Sequence, residues 1–486
     1  MKRFSVKIVP YLSLSGFISF LTLGFMLMSM FLSEEKLPHP LVFVALVLGS
    51  LILGIAYAYL YYKLSGYEFN DKGVSVTRGV LYRKKSFLEY NNIHAVNKKQ
   101  NLIEKLLGTA RLMIDSGSAN TASTAEIIIY EDTRIVDDLM NKLKNSDSLA
   151  DEEVVEDKSE KKNLFAYTKK LKLFNALIDS IRNGFSLLLI ILAFIAIPFF
   201  INIAGEVDLF LQILIGVICL ILLGYILVLF GGIIRSFVHY YNFKIYRLKD
   251  EIEINYGLFT TYNHSFKLNR IKAVIVKQPF FYRLFGYASI LLEVIGYSED
   301  ESNGSIGDNY LIPICKIDDA DELIEKIIGG FNKVELEDRS KSYFSLFSWR
   351  MLYLSIFTVL LGITLGLILP VVGDASLLLP TFITLLLFYL VVLGYMMINS
   401  YLQIKYEGVG IESDRMTIYH GGFKRTRTTI LNKHIIGLTD TTTPLRRKKG
   451  IYSYSVHIKT NAMSNEYPIE ILDEAAKDKI LNVVKY

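Results

Sequence analysis

Three clusters of cationic side chains are the residues in this sequence whose type and spacing best suit binding chemistry. They are Arg446, Arg447, Lys448 and Lys449; Lys424, Arg425 and Arg427; and Arg83, Lys84 and Lys85. Lys and Arg near an anionic membrane leaflet each contribute about 1 kcal/mol to binding. The clusters therefore predict contact with an anionic lipid or an acidic partner. The alternative is that they are solvated loops that only fix the orientation of the chain.

Catalytic chemistry has no comparable signature. The sequence contains no P-loop, dinucleotide-binding fingerprint, nucleophile elbow or His-Glu-x-x-His motif. The histidines are scattered singly, and we expect His94 and His434, beside a predicted strand, to be satisfied structural residues. Cys219 lies in an apolar run and Cys315 in a strand-like segment, so neither a disulfide framework nor a thiolate metal site is expected. We expect a protein that is not an enzyme and has no cofactor or metal.

Six uncharged apolar runs are long enough to span a membrane, because a helix needs about 20 residues to cross the bilayer core. They are 12–32, 41–62, 185–204, 209–234, 351–372 and 377–400. They form three pairs, and the link within each pair is short enough only for a tight helical hairpin. The first run follows Met1-Lys2-Arg3 but lacks a small-residue cleavage site, so it is predicted to be a retained anchor.

The distribution of charge predicts the orientation of the hairpins. If the three links lie on one side, the other side carries 52 of the 53 Lys and Arg and 43 of the 48 Asp and Glu. By the positive-inside rule, both termini and all large loops are then cytoplasmic. The predicted spans contain no Asp, Glu, Lys, Arg or His, which disfavours an ion-coupled transporter because ion relays usually need a charge within the membrane.

The segments that follow the three hairpins repeat one another in register. A glycine precedes a branched apolar residue by 14 positions, and a second glycine follows that residue by 15. The glycines are Gly79 and Gly108, Gly257 and Gly286, and Gly421 and Gly450, with offsets of 178 and 164 between copies. Apolar and polar residues alternate before each first glycine, which predicts a strand that ends in a turn. Each copy closes on an amphipathic helical pattern, so the predicted module is an α+β sheet capped by one helix.

With these features the chain resembles the bacterial pleckstrin-homology-like (PH-like) membrane proteins of the YdbT type, formerly a domain-of-unknown-function family. The resemblance covers nearly the whole chain. It rests on the paired spans, the threefold iteration and the segments Gln100–Gly108 and Gln278–Gly286. It implies a PH-like split β-barrel for each module and a bacterial plasma-membrane location, and it brings no established catalytic residues.

The predicted architecture is six transmembrane helices in three hairpins plus three cytoplasmic α+β PH-like split-barrel modules. The hairpins cover 1–65, 185–235 and 351–402; the modules cover 66–146, 236–330 and 403–486; and linkers cover 147–184 and 331–350. The first linker begins as an acidic tether. Its later part, 164–178, and the segment 343–349 of the second linker suit helices lying at the lipid headgroups. The alternative for both segments is a cytoplasmic extension of the next span.

The three modules differ at one turn. Arg446–Lys449 is purely cationic, whereas the matching turns Glu104–Leu107 and Tyr282–Phe285 are half apolar. We therefore expect modules one and three to contact anionic lipid or an acidic partner, and module two to pack against protein.

The sequence alone predicts an integral membrane scaffold or assembly subunit. Its modules are expected to bind a partner membrane protein, a peptide or an anionic phospholipid, with a smaller PH-like membrane protein as one candidate partner. Nucleic acid is not an expected partner. The alternative function is a component of an export or antimicrobial-peptide resistance system.

Overall fold

The computed structural model describes most of the chain. The described residues are 1–31, 40–93, 95–115, 127–146, 162–168, 170–178, 180–181, 224–248, 250–294, 310–339, 343–372, 378–459 and 464–483. The predicted span 185–204, the first part of the predicted span 209–234, most of the acidic tether and His94 lie outside them.

The secondary-structure elements follow the predicted threefold order. The first unit has β1 (Lys2–Arg3), α1 (Val9–Phe31), α2 (Pro40–Leu64), β2 (Gly66–Asn70), β3 (Gly73–Arg78), β4 (Lys84–Glu89), β5 (Ala95–Gln100), α3 (Leu102–Leu107), β6 (Thr109–Asp115), β7 (Ile127–Asp132) and α4 (Thr133–Ser146). The second has β8 (Lys162–Ala166), α5 (170–178), α6 (Gly224–His239), β9 (Lys244–Leu248), β10 (Glu251–Tyr256), β11 (Thr261–Lys267), β12 (Ile271–Gln278), α7 (Phe280–Leu284), β13 (Tyr287–Val294), β14 (Tyr310–Lys316) and α8 (Ala320–Ile327). The third has β15 (Asp338–Arg339), α9 (Tyr343–Val372), α10 (Leu378–Tyr406), β16 (Gly408–Ile411), β17 (Arg415–Gly421), β18 (Arg425–Leu431), β19 (Ile435–Thr441), α11 (Pro444–Arg447), β20 (Ile451–Lys459), β21 (Ser464–Asp473) and α12 (Glu474–Val483).

Within the described ranges, three helical stretches are long and apolar enough to cross a bilayer. They are Val6–Met28, Leu41–Leu64 and Leu386–Tyr406, and two shorter apolar helices are Gly224–His239 and Met351–Thr364. This is compatible with membrane association. The helices α1 and α2 pack closely, since a Cβ added at Gly54 would lie 2.6 Å from the backbone nitrogen of Phe17.

Both segments predicted to lie at the headgroups include a helix, at 170–178 (α5) and from Tyr343 (α9), and a place at the headgroups remains a prediction for both. Residues 343–349 are the start of α9, which continues without a break to Val372, so the structure favours the extension of the next span. Residues 162–166 are the strand β8, which pairs with β9. Leu164 and Ile178 are 9% and 2% exposed in the core of module two. Apolar residues spaced among lysines suit a module core and a membrane surface equally well, and the sequence pattern does not distinguish the two.

Each module combines two antiparallel half-sheets with one amphipathic helix. In module one, β2, β3 and β4 pair in order, as do β5, β6 and β7. Their apolar faces enclose a core to which α4 contributes Val136, Met140 and Leu143. The helices α8 and α12 close modules two and three in the same way, with Ile324 and Ile480 buried. The predicted sheet with one closing helix is confirmed.

The half-sheets do not end at the module boundaries. One seven-stranded sheet has the order β7-β6-β5-β11-β10-β9-β8, and another has the order β14-β13-β12-β18-β17-β16-β15. The second half of one module therefore continues into the first half of the next. We call the β5–β11 pair the first joint and the β12–β18 pair the second joint. Pairing covers the backbone donors and acceptors that a free edge strand exposes.

Candidate functional site

The two joints have the same strand register. In the first, Thr261 lies opposite Gln100. In the second, Arg425 lies opposite Gln278. These residues are related by the repeat offsets, since Gln278 is 178 positions after Gln100 and Arg425 is 164 positions after Thr261. The joint is therefore a repeated structural feature with a defined geometry.

A cation crosses each joint and donates to a backbone carbonyl in the next module. The Nζ of Lys105 lies 2.6 Å from the carbonyl oxygen of Leu258. The Nη1 of Arg283 lies 2.8 Å from the carbonyl oxygen of Gly422. Burial lowers the pKa of both Lys105 and Arg283, as expected for cations withdrawn from water. Charge-assisted hydrogen bonds of this kind are stronger than neutral ones.

In modules two and three, the turn that receives this cation follows the first glycine, and module one has a glycine at the same position. Gly79 and Gly257 have φ values of 112° and 107°, a region that favours glycine. A Cβ at these positions would lie 2.0 and 1.9 Å from the carbonyl oxygens of Tyr82 and Thr260. Gly421 has a different constraint, because its Cβ would lie 2.6 Å from the Cβ of Tyr406. The repeat glycines therefore allow the chain to turn tightly before the strand that enters the joint.

The cluster Lys424, Arg425 and Arg427 lies largely at the second joint. Arg427 forms an ion pair with Asp321 of module two, and its side chain is 15% exposed. The guanidinium of Arg425 lies over the ring of Tyr406, at 3.4 Å from the ring centroid. Lys424 is exposed. Arg425 and Arg427 thus contact groups of the chain itself, and contact of this cluster with lipid remains a prediction.

The other two predicted clusters lie at the two ends of the array of modules. Arg83, Lys84 and Lys85 are exposed, at the start of β4. Arg447, Lys448 and Lys449 are exposed at the end of α11, and Arg446 donates to the hydroxyl of Ser453 at 3.3 Å. The repeat glycines Gly108, Gly286 and Gly450 end the matching helices with φ values of 69°, 73° and 63°. The structure therefore does not bring the three predicted clusters together into one site.

Sequence reasoning missed the role of the cation that crosses each joint, although a signal was present. The second residue of each compared turn is cationic, at Lys105, Arg283 and Arg447. In the third copy this shared position lies inside the cationic cluster Arg446–Lys449, so the sequence of that copy does not set it apart. His434 also lies at the second joint, where its Nδ1 is 3.2 Å from the Nζ of Lys272. Burial and the neighbouring lysines lower the pKa of His434 to about 4.

A polar cavity of about 250 Å³ opens beside the first joint. Its lining is formed by Lys98, Gln100, Tyr241, Asn242, Asn255, Tyr256, Gly257, Thr261, Tyr262 and Asn263. Lys99 is 3% exposed, and its Nζ lies 5.4 Å from the ring centroid of Tyr262. Amides, phenols and an adjacent cation suit hydrogen bonding to a polar or anionic group. Tyr241 and Asn242 of this lining follow the C-terminal end of α6.

Two histidines beside this cavity are neutral at physiological pH. Burial, together with nearby positive charge, lowers the pKa of His264 to about 3 and that of His239 to about 4. Their rings stack with or lie against the rings of Tyr256 and Tyr262. Among the described residues, no group of three or more His, Cys, Asp and Glu is arranged to hold a metal ion.

Comparison with known families follows the threefold organisation of the chain. A family model described as the bacterial PH domain matches residues 14–143, 187–330 and 356–486. The chain belongs to the bacterial PH domain family. Each match covers an apolar stretch of the sequence together with the module that follows it, so three successive units of this bacterial PH protein match the same family. Comparisons with curated proteins and with solved structures found no match.

Proposed function

We propose that this bacterial PH protein is an integral membrane scaffold. In this proposal it has six spans in three hairpins, both termini are cytoplasmic, and the three modules bind a partner membrane protein at the inner face of the plasma membrane. Anionic phospholipid is the other ligand that the exposed cations suit. The family supports a binding role, because PH-like modules present sheets and loops to ligands.

The observation that carries the proposal is the continuous pairing of sheets through the joints. Strand pairing joins module one to module two and module two to module three. Neighbouring modules are therefore held in one orientation, which suits a rigid platform better than a set of independent ligand sensors. A platform that keeps exposed edges and cationic loops at its ends can add further strands by the same main-chain hydrogen bonds.

Two measurements on the full chain test the proposal. Affinity purification from native membranes in mild detergent, followed by mass spectrometry, should recover a membrane protein in a fixed ratio to the chain. In intact cells an impermeant maleimide should label Ser33→Cys, in a predicted outer link, and should fail to label Lys85→Cys. Purification without any stoichiometric protein, or labelling of Lys85→Cys from outside, would contradict the proposal.

The lipid alternative has its own test on the same material. Replacement of Arg446, Arg447, Lys448 and Lys449 by Ser should reduce binding of short-chain phosphatidylglycerol to the detergent-solubilised chain, if these cations contact headgroups. A control for loss of surface charge replaces two lysines on helices outside the predicted clusters, Lys326 and Lys479, although Lys479 also pairs with Asp338. Equal binding by both variants would exclude lipid contact by the third-module cluster.

A further inference from the structure

The strands at the two ends of the array, β4 and β19, each leave one edge unpaired within the described part of the chain. In module one, β4 holds the place that β11 and β18 hold in modules two and three. In module three, β19 holds the place of β5 and β12. The two end strands of the array are therefore the two complementary halves of a joint, and the chain already makes this joint twice within itself.

Side chains on the two end strands are more exposed to solvent than their counterparts at the joints. Phe87 on β4 is 48% exposed, whereas its counterparts Ser265 and Thr429 at the joints are 4% and 3% exposed. Asp440 on β19 is exposed, whereas its counterpart Val276 is 4% exposed. An open strand edge with an exposed aromatic side chain is typical of a surface that another strand covers.

The cation that crosses each joint also has a counterpart at the end of the array. Arg447 holds the place of Lys105 and Arg283, which donate to carbonyls of the following module. The carbonyl that would match those acceptors is that of Val80, at the turn before β4. The donor thus lies at one end of the array of modules, and the matching acceptor lies at the other end.

An apolar contact repeats this pattern. At the second joint, the ring of Phe423 lies 5.9 Å from the ring of Phe280 in the preceding module. The counterpart of Phe423 in module one is Leu81, whose side chain is fully exposed at 101%. The counterpart of Phe280 in module three is Pro444, which is also exposed. The counterparts of both members of this apolar pair are therefore exposed at the two ends of the array of modules.

We propose that β4 of one copy of this chain pairs with β19 of a second copy and makes a third joint in the register of the first two. Applying the repeat offsets to that register places Lys85 opposite Asp440 and Ser86 opposite Thr439. Opposite charges on facing strands favour pairing. Lys477 already donates to Oδ2 of Asp440 at 2.9 Å, and a carboxylate accepts from more than one donor.

This inference rests on the proposed function, because the hairpins would fix the orientation of every copy in the membrane. A contact between β4 and β19 uses two different surfaces, and such a contact either closes into a ring or continues as an open chain. If every module faces the cytoplasm from one membrane, neighbouring copies can differ in orientation only by a rotation about the membrane normal. Each joint then adds the same rotation. A closed ring of chains is then the expected product.

Disulfide trapping in native membranes tests the third joint in the full chain. One variant carries Lys85→Cys with Asp440→Cys, and another carries Ser86→Cys with Thr439→Cys. Facing residues in an antiparallel pair alternate between wider and closer spacing, and the closer pair suits a disulfide. Both pairs are needed because the alternation at the proposed joint is not fixed by the register alone. Each single-Cys variant serves as a control for random collision.

A matched control uses the first joint, which lies within one chain. Lys98 and Asn263 are facing residues there and are the counterparts of Asp440 and Lys85. Lys98→Cys with Asn263→Cys, or the adjacent facing pair Lys99→Cys with Tyr262→Cys, should give a disulfide within the chain and no larger species. One of the two end pairs should instead give a discrete chain-to-chain product that the single-Cys variants lack. Failure of both end pairs while a control pair forms would overturn the proposal, as would failure of both control pairs.

The identity of the linked polypeptide is a further outcome, read by mass spectrometry. A product that contains only this chain supports the proposal, whereas a product with a different polypeptide overturns it and makes that protein the occupant. Charge exchange gives an independent readout. Lys85→Asp should weaken association of copies in mild detergent about two- to tenfold, and adding Asp440→Lys should restore it. Topology labelling and copurification judge the proposed function separately from these results.

Discussion

Replacing Arg283 by Met removes the cation that crosses the second joint. Its Nη1 lies 2.8 Å from the carbonyl oxygen of Gly422, and a hydrogen bond from a charged donor contributes about 1.5–3 kcal/mol. Because each 1.4 kcal/mol or so is a factor of ten, the joint should open about 10–100 times more often in Arg283→Met. Hydrogen exchange of the β18 backbone amides in detergent or nanodiscs measures this opening. The β18 amides that bond to β12, but not those that bond to β17, should exchange faster by the same factor.

Arg447→Met provides the matched control for this experiment. Arg447 is the counterpart of Arg283 at the end of the array, so its replacement should leave the β18 amides unchanged. Exchange in β20, which lies away from both joints, should be unaffected in either variant. Unchanged exchange of β18 in Arg283→Met, or an equal acceleration in β18 and β20, would refute the reasoning.

Three further predictions concern the joints and turns. Burial opposes the charged form of Asp321, but ion pairs with Arg427 and a nearby lysine lower the pKa of Asp321 overall. The stabilisation of the second joint by Asp321 is therefore complete above the unfolded-state pKa of about 3.9. It is lost as the pH falls through the lower folded-state pKa. The exchange of β18 amides should show this pH dependence, and Asp321→Asn should remove it. Burial and nearby positive charge lower the pKa of His264 to about 3. Because the unfolded chain then binds a proton more readily than the folded chain, the first joint should lose stability as the pH falls below about 6.5. A β11 exchange rate that stays flat in that range, or that is the same in His264→Asn, would contradict this. Gly257→Ala should cost about 1–3 kcal/mol of stability, seen as a lower melting temperature, because φ is 107° and the new Cβ would lie 1.9 Å from a carbonyl oxygen. Gly450→Asn should melt like the parent chain, because φ is 63° there and the new Cβ would lie in open space.

The module fold could be predicted because its signals are local. Alternation in Val74–Val76 and its counterparts indicated strands, the repeated glycines indicated turns, and the spacing in Ile135–Leu143 indicated the closing helix. Each of these elements is present. The joints could not be predicted in the same way, because β11 and β18 look the same in sequence whether their outer edges are free or paired. Edge pairing depends on how whole modules meet.

The candidate site was predictable only in part for the same reason. Composition identified Arg427 and Arg447 as members of cationic clusters, but not that Arg427 pairs with Asp321 across a joint while Arg447 is exposed. The distinction depends on position in the array, since one residue has a following module and the other does not. Comparison of equivalent positions across copies gives that information, whereas counting charges within one copy does not.

A disulfide across the second joint tests most directly whether the modules form one continuous platform. Lys277 and Thr426 belong to different modules and face each other in the β12–β18 pair, as do Val276 and Arg427. In native membranes, cysteines at one of these two adjacent pairs should form a disulfide within the chain in nearly all molecules, and cysteines shifted by three residues on one strand should not. Absence of the link at both facing pairs, in a chain that still purifies as a folded membrane protein, would contradict the continuous platform.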